Sequence, residues 1–164
     1  MSSIGSLHRL LELGRGGMAR VWLAMSTGMN GFRKLVVVKQ LRPEYSSDER
    51  VRAMFLEEAR LAAKLNHPNT VQTLEVAEQD GEYFIIMEYL DGQPFDAINR
   101  LGSVPIGVQL AIIADVCAGL HHAHELRDLD GTELGVVHRD VSPQNVFVTY
   151  TGQVKVVDFG IAKT

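Results

Sequence analysis

Two short strings hold the side chains best suited to chemistry: His138-Arg139-Asp140-Val141-Ser142-Pro143-Gln144-Asn145 and, one hairpin later, Asp158-Phe159-Gly160. Asp140 offers a carboxylate that can accept a hydroxyl proton. Asn145 and Asp158 offer amide and carboxylate oxygens, hard donors of the kind that hold magnesium against phosphates. Together the three suit transfer of a γ-phosphoryl group to a hydroxyl. Alone, Asp-Phe-Gly is ordinary turn material. A His-Arg-Asp, an Asn five residues on and then Asp-Phe-Gly, in that order, form a far more specific pattern.

Side chains able to position a triphosphate lie upstream. Leu13-Gly14-Arg15-Gly16-Gly17-Met18-Ala19-Arg20-Val21 sits between two apolar stretches, Leu7 to Leu13 and Val21 to Met25, and reads as a glycine-rich hairpin between strands. Glycines let backbone N–H groups approach phosphate oxygens with no Cβ in the way; a plain glycine-rich β-turn is the other reading. Val36-Val37-Val38-Lys39 is a β-branched run, hence a strand, that ends in a cation. Lys39 is either a solvated strand-end lysine or a phosphate ligand. A capping-box start at Ser46-Ser47-Asp48-Glu49 predicts a helix running to Leu65. At about 100° per residue, Val51, Met54, Phe55, Ala62 and Leu65 share one stripe, with Glu58 inside it and Glu57 at its edge or off it. A carboxylate on a buried face needs a partner. Lys39 is the natural one; the alternative is a Glu58 that snorkels out.

The remaining elements follow from local signals. His67-Pro68-Asn69 ends the helix. Strands are predicted over Val71 to Ala77 and Tyr83 to Tyr89, joined through Asp80-Gly81. Phe95 to Leu101 reads as a short helix. Ile106 to about Leu126 reads as a long one, apolar on nearly every side from Leu110 to Leu120 and so expected at the centre of a domain. Cys117, His121 and His124 share one helical face at a tolerable metal-ligand spacing, but a core cysteine with helix-end histidines explains them without a metal. Arg127 to Glu133 reads as a turn, its glycine placed too early for a calcium loop. Val146 to Thr149 and Val154 to Val157 form a hairpin through Thr151-Gly152.

In order and spacing these segments resemble the catalytic domain of bacterial serine/threonine protein kinases of the eukaryotic type, over roughly Leu7 to Thr164. The resemblance implies an α+β, two-lobed, kinase-like fold. Residues 1–90 would be an N-lobe, a five-stranded antiparallel sheet with one helix, glycine-rich loop and hinge. Residues 91–164 would be a partial, mainly helical C-lobe ending just after Asp-Phe-Gly. ATP and Mg2+ are the implied cofactors. Leu13, Gly14, Arg15, Gly16, Gly17, Met18, Ala19 and Val21 would bind the nucleotide, with Ala19 in place of the family's third glycine. Val37 and Phe147 would bound the adenine; Met87, Glu88 and Leu90 would form the gatekeeper and hinge. Lys39 would contact the α- and β-phosphates and pair with Glu58. Asp140 would be the catalytic base, and Asn145 and Asp158 the metal ligands. His138 and Phe159 would stack in the apolar spine that links the lobes.

Two departures qualify the likeness. Ser142 stands where serine/threonine kinases carry a lysine, which weakens transition-state charge stabilisation. The sequence also reaches only Thr164, short of the activation segment and the Ala-Pro-Glu region, so a truncated catalytic domain is expected. A non-catalytic, pseudokinase-like nucleotide-binding or regulatory module is the second reading. A small-molecule phosphotransferase of the aminoglycoside kinase kind is the third, disfavoured by Arg139, the glycine loop and Asp158-Phe159-Gly160. Composition agrees with a soluble globular chain: 164 residues, 46% hydrophobic, net charge −4. It offers no basic surface for nucleic acid, and the implied partner is a protein substrate. A single cysteine excludes an internal disulfide framework and suits a reducing cytoplasm. Asp115 interrupts the most apolar helix, so no membrane segment is expected.

Overall fold

The structure, a computed structural model, describes residues 6–159. It divides into two units, each taken here by itself. Unit 1 runs through Ala63 and takes in Thr73–Tyr89; unit 2 is Lys64–Gln72 with the chain from Leu90 onward.

Unit 1 is built on an antiparallel sheet of five strands: β1 (Ser6–Arg15), β2 (Ala19–Thr27), β3 (Arg33–Leu41), β4 (Thr73–Gln79) and β5 (Glu82–Glu88), in the order β1-β2-β3-β5-β4. β3 shows why both faces are covered. Its alternation sends Val36 and Val38 to a cluster with Ala24 and Ile86, while Leu41 joins Ala19, Phe55, Ala59 and Ile85 in a second one. The second cluster includes residues of helix α1 (Glu49–Ala62). That helix starts where expected, but its cap is Asp48 and not the serine of a capping box: the Asp48 carboxylate accepts from Arg50 N at 2.9 Å and Val51 N at 3.1 Å. It ends at Ala62, three residues short of Leu65, which is nonetheless buried. The β4–β5 turn places Asp80 at φ 54 and Gly81 at φ 77, the two successive left-handed residues of a type I′ hairpin.

β4 does not begin at Val71. Thr70 instead forms a parallel bridge with Val156, and Val71 N donates to Val156 O at 3.0 Å, so the backbone of this segment is satisfied inside unit 2.

Unit 2 contains β6 (Gly92–Pro94), α2 (Phe95–Leu101), α3 (Ile106–His124), β7 (Val146–Thr149) and β8 (Val154–Val156). The last two and β6 form a three-stranded antiparallel sheet, β6-β7-β8. α3 lies against β8. Gly119 allows this helix to meet the Asn69 backbone, because a Cβ there would come within 2.7 Å of Asn69 O. α3 is covered on one side only: Ile112, Val116, Gly119 and Ala123 are buried, whereas Leu110 and Ile113 are more than half exposed, and Cys117, expected in the core, is exposed. Asp115 also fails to exclude a membrane span by composition, since α3 is long and apolar enough to cross one. In this structure it is the helix of a folded unit. The 127–133 segment is a closed turn, with Arg127 bridged to Glu133 and Asp128 N donating to Thr132 O at 2.8 Å. Lys64 secures it through an ion pair to Asp128 at 2.6 Å.

Candidate functional site

In unit 1, strand register gathers the expected residues. Val21 pairs with Lys39 and Lys39 with Ile85, while Val37 pairs with Met87. Residues directly opposite, or two apart on one strand, share a face. Val21, Val37, Lys39 and Met87 therefore lie on one side of the sheet. α1 turns Glu58 toward this set, and Lys39 Nζ lies 2.5 Å from Glu58 Oε1. Glu57, one residue away, points outward and pairs with Arg60 at 2.9 Å. The helical phase thus decides which carboxylate meets the lysine.

The glycine-rich segment is the β1–β2 turn. Gly14 pairs with Val21 and Arg15 with Arg20, and Gly16 N donates to Ala19 O at 2.8 Å. Leu13 lies on the exposed strand β1, and Met18 packs against the Leu41–Phe55 cluster. Around Gly14 and Gly17 the space a Cβ would take is open. Glu88 is the last residue of β5, and Leu90 opens the second stretch of unit 2.

In unit 2 the two strings are bonded to each other. Asn145 Nδ2 donates to Asp140 O at 2.9 Å, and Asn145 N to Ser142 O at 2.9 Å. Val157 N donates to Asn145 O at 2.9 Å, which fixes the residue before Asp158 against the loop that carries Asp140. His138 completes the tie. Its Nδ1 accepts from Asp140 N at 3.2 Å, so Nε2 carries the hydrogen and donates it to Val157 O at 3.0 Å. The His138 and Phe159 rings are in contact, 4.6 Å between centroids, but tilted by 51° and not stacked as expected. Arg139 (φ 61) and Asp158 (φ 55) both occupy the left-handed region. Non-glycine residues persist there only where the surroundings over-determine them, and such positions cluster at functional sites. Phe147 follows on β7, half-buried and opposite Lys155. Gly160 lies outside the described residues.

Among the described residues no three His, Cys, Asp or Glu side chains converge as a metal cluster. Two features escaped the sequence. Asn69 looked like a helix stop, yet its Nδ2 donates to Val154 O at 2.9 Å and its O accepts from Val156 N at 2.8 Å. Arg42, beside the glycine turn, gave no signal beyond that of a surface arginine.

The model of the protein kinase domain matches residues 7–164. The chain belongs to the protein kinase family. It is 48% identical over 157 residues to the tyrosine-protein kinase MasK of Myxococcus xanthus, covering 93% of this chain and 24% of that protein. It is 34% identical to the serine/threonine-protein kinase PrkC of Bacillus subtilis, covering 96% and 23%. With the serine/threonine-protein kinase PknA of Mycobacterium tuberculosis it shares 37% identity, covering 96% and 35%. The kinase domain of PknI from Mycobacterium tuberculosis superposes with a TM-score of 0.72 at 30% identity, over 99% of this chain and 64% of that one. The chain therefore spans about a quarter to a third of these curated relatives' length and about two thirds of the solved kinase domain.

Proposed function

We propose that this chain carries the ATP-binding and catalytic-loop portion of a protein kinase that transfers the γ-phosphoryl of Mg-ATP to a protein hydroxyl. The observation that carries the reading is the buried Lys39–Glu58 pair. A buried lysine held by one carboxylate keeps its ammonium in a fixed place, where it can meet phosphate oxygens as a point charge. The glycine turn presents backbone N–H groups to the phosphates, and Val37 and Met87, paired across β3 and β5, give the adenine an apolar wall. Asn145 and Asp158 would hold Mg2+, which supplies charge neutralisation to the phosphates when bound. Asp140 accepts the acceptor hydroxyl's proton, kept in place by the His138 and Asn145 bonds to its backbone.

Serine or threonine is the acceptor favoured by most of the named relatives. Tyrosine is the second reading, supported by the name of MasK and by Ser142. A phenol is more acidic than an alkyl alcohol and needs less help from a cation to lose its proton. A cytoplasmic setting fits both the use of ATP and the exposed free thiol of Cys117. The test is titration calorimetry with Mg-ATP on the wild type, Lys39→Met and Asp158→Asn. Each variant should bind about tenfold more weakly or worse, as the loss of a charge-assisted contact requires. Unchanged affinity in both would remove the nucleotide site. Analysis of the phosphorylated residue on a generic protein substrate then separates serine/threonine from tyrosine transfer.

A further inference from the structure

The tip of the glycine turn is gripped from outside by one side chain. Arg42 follows β3, three residues after Lys39. Its backbone N–H donates to Met18 O at 2.9 Å, and its Nη1 donates to Gly17 O at 2.7 Å. Nε donates to Glu44 Oε1 at 2.9 Å, and Nη2 reaches the same oxygen. The guanidinium also lies over Tyr45, 5.3 Å from its ring centroid, and Tyr45 packs against the Leu41–Phe55 cluster. Glu44 takes a second cation, Arg15, from the last position of β1 at 4.0 Å. Surface ion pairs usually organise little, but the Arg42 side chain is only 19% exposed. Its fork is used in three directions at once.

What this grip fixes is peptide orientation. In a planar trans peptide the C=O and the following N–H point to opposite edges. Holding Gly17 O therefore sets the direction of Met18 N–H, and holding Met18 O sets that of Ala19 N–H. Beyond the Gly16 N–Ala19 O bond and the packing of Met18, the tip has little of its own to resist a peptide flip: no heavy atom lies within 4 Å of the Cβ position of Gly17, and two adjacent glycines have wide backbone freedom. The Glu44 carboxyl sits below its usual range, held first by a backbone hydrogen bond and then by Arg42, so the Glu44 end of the network stays charged at neutral pH.

We propose that Arg42 is the positioning residue of the phosphate cradle: it latches the Gly17 and Met18 carbonyls so that a nucleotide meets a turn already shaped for its phosphates. Arg42 touches no nucleotide itself. The proposal rests on the nucleotide reading above for its consequence, while the latch can be measured without nucleotide.

The experiment has two arms on the full chain with Arg42→Ala and Arg42→Lys. In the first, amide hydrogen exchange is followed without ligand. Arg42→Ala should speed exchange at Met18, the amide whose direction the Gly17 carbonyl sets, by about fivefold, the freedom of roughly one backbone residue, and leave unchanged Ala19, still held through the backbone N–H of residue 42, and the amides of α1. Equal exchange at the turn overturns the latch whatever the nucleotide result. In the second, Mg-ATP and adenosine are titrated side by side. Arg42→Ala should weaken Mg-ATP about fivefold and leave adenosine within experimental error, because only the phosphates use the turn. Equal loss for both ligands, or loss for neither, overturns the positioning role. Arg42→Lys keeps the charge and loses the fork, and should recover at most half of the loss; full recovery overturns the directional grip. A wild type that binds no Mg-ATP removes the nucleotide reading, and the exchange arm still decides the latch.

Discussion

Removing Lys39 should damage the fold as much as any chemistry, and by an amount that the geometry sets. Lys39 and Glu58 stand 2.5 Å apart with side chains 13% and 7% exposed. Lys39→Met leaves the Glu58 carboxylate on the buried face of α1, with its ammonium partner gone. Breaking a buried ion pair from one side costs roughly 3–5 kcal/mol, whereas replacing both partners with apolar residues of similar volume is often neutral. Lys39→Met and Glu58→Leu should each destabilise by roughly 3 kcal/mol, and the double variant by under about 1 kcal/mol. A coupling of several kcal/mol is the signature of direct contact. Urea unfolding can be followed through Trp22, the single tryptophan, which sits half-buried on β2. With a urea slope of about 1–2 kcal/mol per molar, each single variant should shift its midpoint by roughly 2 M. Single variants within about 0.5 kcal/mol of wild type, or a double variant that loses the sum of the two, would refute the pairing as a buried one.

In the protein extended to its natural length, Asp140→Asn should abolish phosphoryl transfer and leave Mg-ATP affinity nearly unchanged; a variant keeping most of its rate removes Asp140 from the base role. Gly119→Ala puts a methyl group against the Asn69 carbonyl. It should cost about 1–3 kcal/mol in urea unfolding, whereas the same change at Gly107, an open position of the same helix, should stabilise by about 0.4–1 kcal/mol. His67 stacks on His122 at 5.1 Å, and its pKa lies below 6.5 through burial first, then through the charges of His122 and Lys155. The unfolded chain takes up a proton near 6.5 that the folded chain resists, so this stability is full above about pH 6.5 and falls as the pH drops toward the lower folded value. His67→Asn keeps an acceptor for Asn69 N and should flatten the fall in urea midpoint between pH 7 and 5; an unchanged slope would exclude His67 as its source.

Local chemistry was legible and distant pairing was not. Asp80-Gly81 announces its hairpin because two left-handed residues are needed there and these types tolerate them. Glu58 could be chosen over Glu57 because helical phase is a property of the sequence alone. The same periodicity said nothing of which sides of α3 would be covered, since a helix apolar all round carries no phase. The segment after Pro68 read as the start of β4, yet its partner strand lies 85 residues on, beyond any local window. Arg42 was silent for a related reason: its three contacts depend on how the turn at Gly17 folds back, not on its own neighbours in sequence.

The stitch between residues 69–71 and β8 has a consequence during synthesis. Asn69, Thr70 and Val71 emerge in the interval between α1 and β4, but the groups that satisfy them, on Val154, Lys155 and Val156, arrive 85 residues later. At ribosomal speeds of about 5–20 residues per second that is a wait of roughly 4–17 s. Every strand of the five-stranded sheet has left the ribosome by Glu88, so that sheet can close while this stretch still dangles as an open strand edge. Such edges recruit the wrong neighbours. The polar composition of Asn66-His67-Pro68-Asn69-Thr70, with a proline in it, keeps the nascent segment a poor template until its own strand is made.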